Sequence, residues 1–250
     1  TIRCNLTKIS REGLKNKLEE EGVTVEVIPE VKEALVISNY DSLQRLSSFQ
    51  NGEFYIQDLS SMKVAEIANP QKDQYIIDMC AAPGGKSLHL AEKLEGTGMV
   101  DARDVSWKKV DQILENKKRI GLHNLEAKLQ DATILDPESI DLEDIVIADV
   151  PCSGLGVISK KVDIKYKMTP EKIKEIVILQ RQILEVAGTY VKANGFLVYS
   201  TCTINREENQ ENVQWFLQKF PDFECCFEEQ ILPIDGKQDG FFISKLEKKG

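Results

Sequence analysis

The sequence has no long apolar run, no paired-cysteine spacing and no excess of positive charge, and each absence excludes a class of protein. No apolar stretch approaches the roughly 18 residues of a membrane helix, and no signal peptide is visible. None of the six cysteines stands in a CxxC pair, which argues against a zinc site or a disulfide framework. The net charge of −9 argues against non-specific nucleic-acid binding by the whole surface. We therefore expect a cytoplasmic protein without a membrane partner, a metal or disulfides.

What is present suits a folded protein of one or two domains. The chain has 250 residues, of which 42% are hydrophobic, close to the globular norm. Residues 1–52 predict a small α/β module, with a helix after Ser10 and strands over 23–28 and 35–37. A turn predicted over 49–52 separates it from a larger domain, predicted at 53–250.

The segment 78–87, DMCAAPGGKS, is the motif around which the larger domain is arranged. The apolar run 75–77 before it predicts a buried strand, and the apolar residues of 88–94 recur at helical spacing. Strand, glycine-rich turn and helix is the layout that presents a ligand to a helix N-terminus. Gly84 and Gly85 lack a Cβ atom, so the backbone of the turn can approach a ligand closely.

Three interpretations of this turn are open from the motif alone. The residues from Gly84 to Ser87 match the end of a P-loop, but Cys80 stands where its first glycine is required. The second interpretation is a nucleoside-type cofactor held by a Rossmann-like sheet, and the third is an ordinary turn between a strand and a helix. Short glycine motifs have a high false-positive rate, so the rest of the chain must decide.

Three further strands are predicted to end at acidic residues, as the first ends at Asp78. They cover 98–104, 127–130 and 145–148, and the acids are Asp104, Asp131 and Asp149. Ligands of open α/β sheets bind at the carboxyl ends of the strands. Asp104 follows Gly84 at about the 20-residue spacing of an acid that binds ribose hydroxyls, with a helix N-cap as a compatible alternative. The alternation of strands and helices predicts an α/β fold with a Rossmann-like sheet.

A helix is predicted over 107–120, and its apolar stripe is expected to lie in the core. The stripe consists of Trp107, Val110, Ile113, Leu114 and Ile120. A second helix is predicted from Pro170 to about Ala193, with 194–195 (Asn-Gly) ending it. Asn205 and Glu208 predict a capping box for a third helix. That helix covers 206–220, and strands are predicted over 196–200 and 241–243.

Cys152 and Cys202 differ from the other cysteines because each follows the carboxyl end of a predicted strand. Both thiols would lie on the ligand face of the sheet, in loops where catalytic groups concentrate. Cysteine there can act as a nucleophile if its thiolate is stabilised. For Cys4, Cys225 and Cys226 we expect the commoner role of a buried small hydrophobe.

Six segments of the chain stand in an order and spacing typical of one enzyme family. They are 78–86 (DMCAAPGGK), 149–154 (DVPCSG), 163–165 (DIK), 200–203 (STCT), 207–209 (EEN) and 239–242 (DGFF). Together they resemble the Fmu/Sun-type RNA (cytosine-5) methyltransferases. The resemblance covers nearly the whole chain, and 3–6 (RCNL) looks like the opening of the family's small RNA-recognition-motif-like module. It implies a Rossmann-like methyltransferase sheet that uses S-adenosyl-L-methionine.

The resemblance implies a role for each residue at the strand ends. The methionine and ribose parts of the donor would be held by Cys80, Ala81, Ala82, Pro83, Gly84, Gly85 and Lys86. Asp104 would take the ribose hydroxyls, Asp131 would lie near the adenine, and Asp149 would lie near the reacting centre. Lys86 would also hydrogen-bond the base or steady the site, with a solvated lysine as the alternative.

The chemistry implied for the two cysteines is covalent catalysis. Carbon 5 of cytosine is a poor nucleophile until a thiolate adds to carbon 6, and that addition needs an acid at nitrogen 3, for which Asp149 is the candidate. By resemblance, Cys202 is the nucleophile and Cys152 assists release of the product. The alternative makes Cys152, in its Pro-Cys motif, the nucleophile, as in the DNA cytosine-5 enzymes.

The resemblance implies RNA as the substrate, and small-subunit ribosomal RNA in particular. The target base is expected to be single-stranded or flipped out of its stack. The segment 160–174 carries six lysines against two acidic residues and is a candidate for holding phosphates, with a solvated charge run as an equal alternative. Lys161 and Val162 stand before Asp163 where relatives have His or Asn followed by Pro, which puts the local loop geometry in doubt.

Three expectations concern the whole protein. Bacterial members with this substrate carry a separate helical RNA-binding domain before this region, and nothing in the sequence matches it. Because the sequence begins with Thr1 and not Met, a longer natural protein stays open. The sequence has no large exposed apolar stripe of the kind that would indicate an obligate dimer, so a monomer is expected.

Two rival functions are left open. They are a P-loop nucleotide hydrolase and a non-catalytic RNA-binding module that keeps the fold.

Overall fold

The chain folds into two β-sheets with helices packed on them, in a computed structural model that describes residues 1–29, 31–233 and 238–250. Residues 2–56 supply a four-stranded sheet, and residues 75–248 supply a seven-stranded sheet. Among the described residues, no helix is both long enough and apolar enough to cross a membrane.

The smaller sheet is antiparallel and carries two helices. Its elements in chain order are β1 (Ile2–Cys4), α1 (Arg11–Glu20), β2 (Thr24–Val27), β3 (Ala34–Ser38), α2 (Ser47–Gln50) and β4 (Phe54–Ile56). The strand order is β2-β3-β1-β4. Ser10 caps α1 by accepting from the Gly13 N–H at 3.1 Å, and Leu14 and Leu18 are buried.

The sequence anticipated α1, β2 and β3 but not the other elements of this sheet. β1 and β4 are three residues each, too short for a periodic signal, and α2 occupies part of the predicted turn. β4 pairs with β1, so a strand of the smaller sheet follows residue 52. The division of the chain at residue 52 stays a prediction.

The larger sheet is mostly parallel, with helices on both faces. Its elements in chain order are α3 (Leu59–Ala68), β5 (Tyr75–Asp78), α4 (Gly85–Lys93), β6 (Met99–Asp104), α5 (Trp107–Ile120), β7 (Leu125–Leu129), β8 (Glu143–Asp149), α6 (Ile164–Lys167), α7 (Pro170–Tyr190), β9 (Val191–Thr201), α8 (Gln210–Lys219), β10 (Phe223–Ile231) and β11 (Phe241–Lys248). The strand order is β10-β11-β9-β8-β5-β6-β7. The strands β5 to β9 are parallel, and β11 pairs antiparallel with both β9 and β10. The predicted α/β, Rossmann-like fold is confirmed.

Two apolar clusters cover the two faces of this sheet. One takes side chains from α3, α4 and α5, such as Val64, Leu88 and Ile113. The other takes side chains from α7 and α8, such as Leu184 and Phe216. With the sheet buried on both sides, its functional groups are confined to the ends of the strands.

The predicted stripe of α5 is only partly core. Val110, Ile113 and Ile120 are fully buried, but Trp107 is 64% exposed and Leu114 is 41% exposed. Trp107 is the first residue of the helix, beside the end of β6, and Leu114 lies about 100° around the helix from Ile113. The expectation was therefore wrong for these two residues.

The junction between α7 and β9 also differs from the expectation. The helix ends at Tyr190, and Val191 already pairs with Glu143 of β8. Asn194, with φ +61°, belongs to an irregular stretch of β9 where the register with β8 shifts. The Asn-Gly pair therefore makes a bulge in a strand and does not end the helix.

β10 was not anticipated, and its position corrects the expectation for two cysteines. Most of its residues are exposed because it is the edge strand, so its sequence lacks the alternation of a half-buried strand. Cys225 and Cys226 lie on it and are exposed, whereas Cys4 is buried as expected. The expectation of a buried small hydrophobe was therefore wrong for Cys225 and Cys226.

Candidate active site

The glycine-rich turn connects β5 to α4 and is fastened to the next strand. Gly84 adopts φ +106°, a left-handed conformation that favours glycine, and it is the N-cap of α4. The Ala81 N–H donates to the carbonyl of Arg103 at 2.9 Å, and the Gly84 N–H donates to the carbonyl of Ala81 at 2.7 Å. The turn is therefore fixed against the end of β6, where Asp104 lies.

Asp104 is a buried carboxylate that binds the turn. It accepts from the Ala82 N–H at 3.0 Å and from the Val105 N–H at 2.7 Å, and Lys109 Nζ lies 3.0 Å from it. Two carboxylate oxygens have about four acceptor positions, so capacity for a further donor remains. Asp131, after β7, accepts from the N–H and the hydroxyl of Thr133 at 2.9 and 2.7 Å.

Asp78, at the end of β5, is the most deeply buried acid of the series. Its Oδ2 accepts from Ser87 Oγ at 2.6 Å, and its Oδ1 has no partner among the described residues. Burial raises the pKa of this carboxyl to about 7. The sequence marked Asp78 as a strand-end acid without a role, and the unpartnered oxygen now makes it a candidate ligand-binding group.

Asp78→Asn is expected to remove a pH-dependent loss of stability. The raised pKa means that the folded state holds the Asp78 proton more tightly than the unfolded chain, so its stabilising contribution is complete below about pH 4 and is lost as pH rises through 7. The variant should match the unchanged protein near pH 4 and gain on it towards pH 8, by about 4 kcal/mol at most. Urea unfolding at several pH values measures this. A difference that stays constant with pH would contradict it.

The two cysteines predicted to be catalytic lie side by side. Cys152 follows β8 and Cys202 follows β9, and because these strands are parallel neighbours the two Sγ atoms are 3.1 Å apart. Both residues are partly buried. Their hydrogen bond lowers the pKa of Cys202 and raises that of Cys152, so Cys202 is the more readily ionised thiol.

Lys86 and Asp149 form an ion pair beside the thiols. Lys86 Nζ lies 2.7 Å from Asp149 Oδ2, and Ser200 Oγ donates to Asp149 Oδ1 at 2.6 Å. Burial acts to lower the pKa of Lys86, but the Asp149 carboxylate outweighs it and the pKa lies above its ordinary value. The charge of Lys86 also acts to lower the pKa of Cys202. The four residues predicted to be catalytic are therefore brought together.

Glu208 fixes the Cys152 loop, a role that the sequence did not indicate. Its fully buried carboxylate accepts from the Ser153 N–H at 2.8 Å, the Ser153 hydroxyl at 2.5 Å and the Gln180 side-chain amide at 3.0 Å. α8 begins only at Gln210, so the predicted capping box was wrong. Ser153 is 55 residues away in sequence, so local spacing gave no sign of this anchor.

Arg3 connects the smaller sheet to the glycine-rich turn. Its buried guanidinium donates to the carbonyl of Gly85 at 2.8 Å and pairs with Glu92 at 2.9 Å. The Tyr55 hydroxyl also donates to the carbonyl of Pro83, at 3.3 Å. Two side chains of the smaller sheet therefore hold backbone carbonyls of the glycine-rich turn in place.

The lysine-rich segment is only partly neutralised. Lys160 bridges Asp58 at 2.8 Å and Asp239 at 2.9 Å, and Lys167 pairs with Asp163 at 2.6 Å. The remaining lysines of the segment are exposed and form no ion pair with a described residue. They are Lys161, Lys165, Lys172 and Lys174.

Comparison with known proteins identifies the family. The family model for 16S rRNA methyltransferase RsmB/F matches residues 65–247. Probable ribosomal RNA small subunit methyltransferase B of Bacillus subtilis is 38% identical over 100% of this chain, which spans 60% of that relative. The crystal structure of PH0851 matches with TM-score 0.94 and 32% identity over 99% of this chain and 59% of that one. The structure of NSun6 from Pyrococcus horikoshii with SFG matches with TM-score 0.89 and 26% identity, over 100% and 90%. The predicted relationship is confirmed, and the chain belongs to the 16S rRNA methyltransferase RsmB/F family.

Proposed function

We propose that this chain methylates carbon 5 of a cytosine in small-subunit ribosomal RNA, with S-adenosylmethionine as donor and a covalent bond between Cys202 and carbon 6 of the base. The observation that carries the proposal is the pair of thiols 3.1 Å apart beside the Lys86–Asp149 ion pair. Membership of a 16S rRNA methyltransferase family supports the reaction class and the substrate. Binding of SFG, an analogue of S-adenosylmethionine, by the Pyrococcus relative supports the donor.

The residues at the glycine-rich turn fit S-adenosylmethionine. The buried, unpartnered Asp78 Oδ1 can accept from a ligand N–H group, and Asp104 retains acceptor capacity for hydroxyls. We propose that the turn from Cys80 to Lys86 holds the methionine and ribose parts, with Asp131 near the adenine and Asp149 near the methyl group. When bound there, the sulfonium group supplies an electrophilic methyl group.

Cys202 is proposed to act as the nucleophile. Its thiolate forms a bond to carbon 6, and the electron pair of the carbon 5–carbon 6 double bond makes carbon 5 nucleophilic while nitrogen 3 takes a proton. The lowered pKa of Cys202 supports this assignment over the one that makes Cys152 the nucleophile. Cys152, held next to it, is proposed to assist release by taking the proton from carbon 5 as a thiolate. The electron pair of that carbon–hydrogen bond re-forms the carbon 5–carbon 6 double bond as the Cys202 thiolate leaves, and nitrogen 3 returns its proton to Lys86.

The Lys86–Asp149 pair is proposed to serve nitrogen 3 as one unit. Lys86 Nζ lies 2.7 Å from Asp149 Oδ2, and the raised pKa of Lys86 means that its amine holds a proton that it can give to nitrogen 3. Asp149 then orients the base, and Lys86 supplies the proton as Cys202 adds. The hydroxyl of Ser200 donates to the other Asp149 oxygen and restricts rotation of the carboxylate.

Recognition of RNA is proposed to use both parts of the chain. We propose that residues 1–52 form the RNA-binding module and 53–250 the catalytic domain, with Arg3 joining them at the turn. The exposed lysines of 160–174 that form no ion pair with a described residue follow the Cys152 loop directly, and they are proposed to bind phosphates near the target base. A cytosine must leave its stack to reach two half-buried thiols, so single-stranded or flipped RNA is the expected substrate.

The test is transfer of a labelled methyl group to small-subunit ribosomal RNA that lacks its modifications, followed by mass spectrometry of the nucleosides. We expect the label in 5-methylcytosine. Label in another nucleoside would overturn the proposed position, and failure to bind S-adenosylmethionine would overturn the donor. Binding of ATP with hydrolysis would instead favour the P-loop interpretation.

Glu208→Ala is expected to lower kcat about 10-fold or more with little change in KM, because the buried donors of Ser153 and Gln180 lose their acceptor and the Cys152 loop loosens. The free energy of unfolding should fall by about 2–4 kcal/mol. Glu208→Gln keeps an acceptor oxygen and should recover part of the rate. Glu207→Ala, at the exposed neighbouring position, is the matched control. Equal kinetics in both alanine variants would contradict the positioning role.

A further inference from the structure

A cluster of three metal-ligating side chains lies away from the thiols. His89 is on α4, Glu66 is on α3, and Glu33 directly precedes β3 of the smaller sheet. One ligand atom from each lies within 4.8 Å of the other two. His89 and Glu33 line a cavity of about 780 Å³ between the two parts of the chain, together with Thr7, Asn69 and Glu92.

His89 is the observation that points to a ligand. Its side chain is 1% exposed, and neither ring nitrogen has a partner among the described residues. A buried polar side chain is rarely left without a hydrogen bond, and a neutral imidazole is a common metal ligand.

The spacing of the cluster suits coordination better than hydrogen bonding. His89 Nε2 and Glu66 Oε1 are 3.7 Å apart, too long for a hydrogen bond. Two ligands of a tetrahedral ion with bonds of about 2.0–2.1 Å stand about 3.4 Å apart. Small side-chain movements would therefore bring these two atoms to coordinating distance.

The surrounding charges leave one carboxylate uncompensated. Glu92 pairs with Arg3 at 2.9 Å, and Glu66 pairs with Lys93 at 2.6 Å. Glu33 is buried and forms no ion pair with a described residue. Lys32 also lines the cavity. A bound cation would compensate Glu33 and replace Lys93 at Glu66, which is 43% exposed and free to turn.

We propose that Glu33, Glu66 and His89 bind a divalent transition-metal ion of the Zn²⁺ or Co²⁺ type. One imidazole nitrogen and two carboxylate oxygens suit such ions, whereas Mg²⁺ and Ca²⁺ prefer oxygen ligands alone. The ligands come from α3, α4 and the loop before β3, so the ion joins the smaller sheet to the helix that begins at the glycine-rich turn. The site stabilises this junction and takes no part in methyl transfer.

The test is calorimetric titration of chelator-treated protein with Zn²⁺ and with Co²⁺, supported by thermal unfolding. We expect one ion per chain and a rise of about 5 °C in Tm at a large excess over Kd. His89→Gln and Glu66→Gln should each lower the affinity at least 10-fold. The chain has two histidines, and the second, His123, is exposed and lines the same cavity outside the three-residue cluster, so His123→Gln is the matched control and should keep the affinity.

The same titration separates this site from the cysteine pair, which could also bind zinc. Co²⁺ bound to thiolates gives strong near-ultraviolet charge-transfer absorption, and Co²⁺ bound to one imidazole and two carboxylates does not. We expect its absence. Thiolate absorption, or an affinity unchanged in both Glu66→Gln and His89→Gln, would overturn the proposal. Because Glu66 is half-exposed, Glu66→Gln should fold normally even if His89→Gln does not.

Discussion

Cys202→Ala is expected to lower the rate of methyl transfer at least about 10³-fold, because it removes the thiol that is proposed to add to carbon 6 of the base. Lys86 and Asp149 remain in place in this variant, and so does the glycine-rich turn. Affinities for S-adenosylmethionine and RNA should therefore stay within a few-fold of the unchanged protein. Transfer of labelled methyl groups in single-turnover conditions measures the rate, and filter binding measures the affinities.

The matched control for this experiment is Cys225→Ala, an exposed cysteine on the edge strand β10. It should leave the rate unchanged. If Cys202→Ala retained its activity, the covalent mechanism through this residue would be wrong. If activity were absent from the unchanged protein while RNA bound equally well with and without Cys202, the non-catalytic RNA-binding module would be the better description.

Cys152→Ala is expected to stop turnover in a different way, by accumulating a covalent complex between Cys202 and the RNA. The partner thiol is 3.1 Å from Cys202, close enough to assist loss of the carbon 5 proton and departure of the sulfur. Without it, addition and methylation proceed but release does not. A slowly migrating band on a denaturing gel, carrying the labelled methyl group, measures the complex.

The double variant Cys152→Ala/Cys202→Ala supplies the control and should form no complex. A second readout follows from the shared hydrogen bond, which lowers the pKa of Cys202. Removing Cys152 removes that effect, so the midpoint of single-turnover methyl transfer against pH should lie higher in Cys152→Ala than in the unchanged protein. A complex that accumulates in Cys202→Ala instead would exchange the roles of the two cysteines.

The parts of the fold that could be predicted were those with a local signal. The strands β5 and β8 contain apolar runs that end at acids, β6 also ends at an acid, and the glycine-rich turn fixes where α4 begins. These signals were enough to bring Asp78, Asp104 and Asp149 to one edge of a parallel sheet. The edge strand β10 lacked such a signal, because one partner strand and a solvated surface do not impose alternation.

The parts of the site that escaped prediction depend on contacts between distant residues. Glu208 looked like half of a capping box, but its partners Ser153 and Gln180 are 55 and 28 residues away. The Glu33, Glu66 and His89 cluster is likewise spread over three elements, and the expectation of no metal came from cysteine spacing, which does not test such a cluster. Spacing along the sequence therefore does not identify partners that lie on different elements and follow no predicted strand end.

The position of β11 has a consequence for synthesis on the ribosome. This strand lies between β9 and β10, although it follows both in sequence. Until it has been made, β10 has no neighbour in the sheet and the edge of β9 stays open, a surface prone to pairing with other chains. At about 5–20 residues per second, the stretch from the end of β9 to the end of β11 takes roughly 2–10 s to synthesise. Phe241, whose ring lies 5.5 Å from Lys86 Nζ, arrives with it, so the site around Cys202 is completed only when this late strand is inserted.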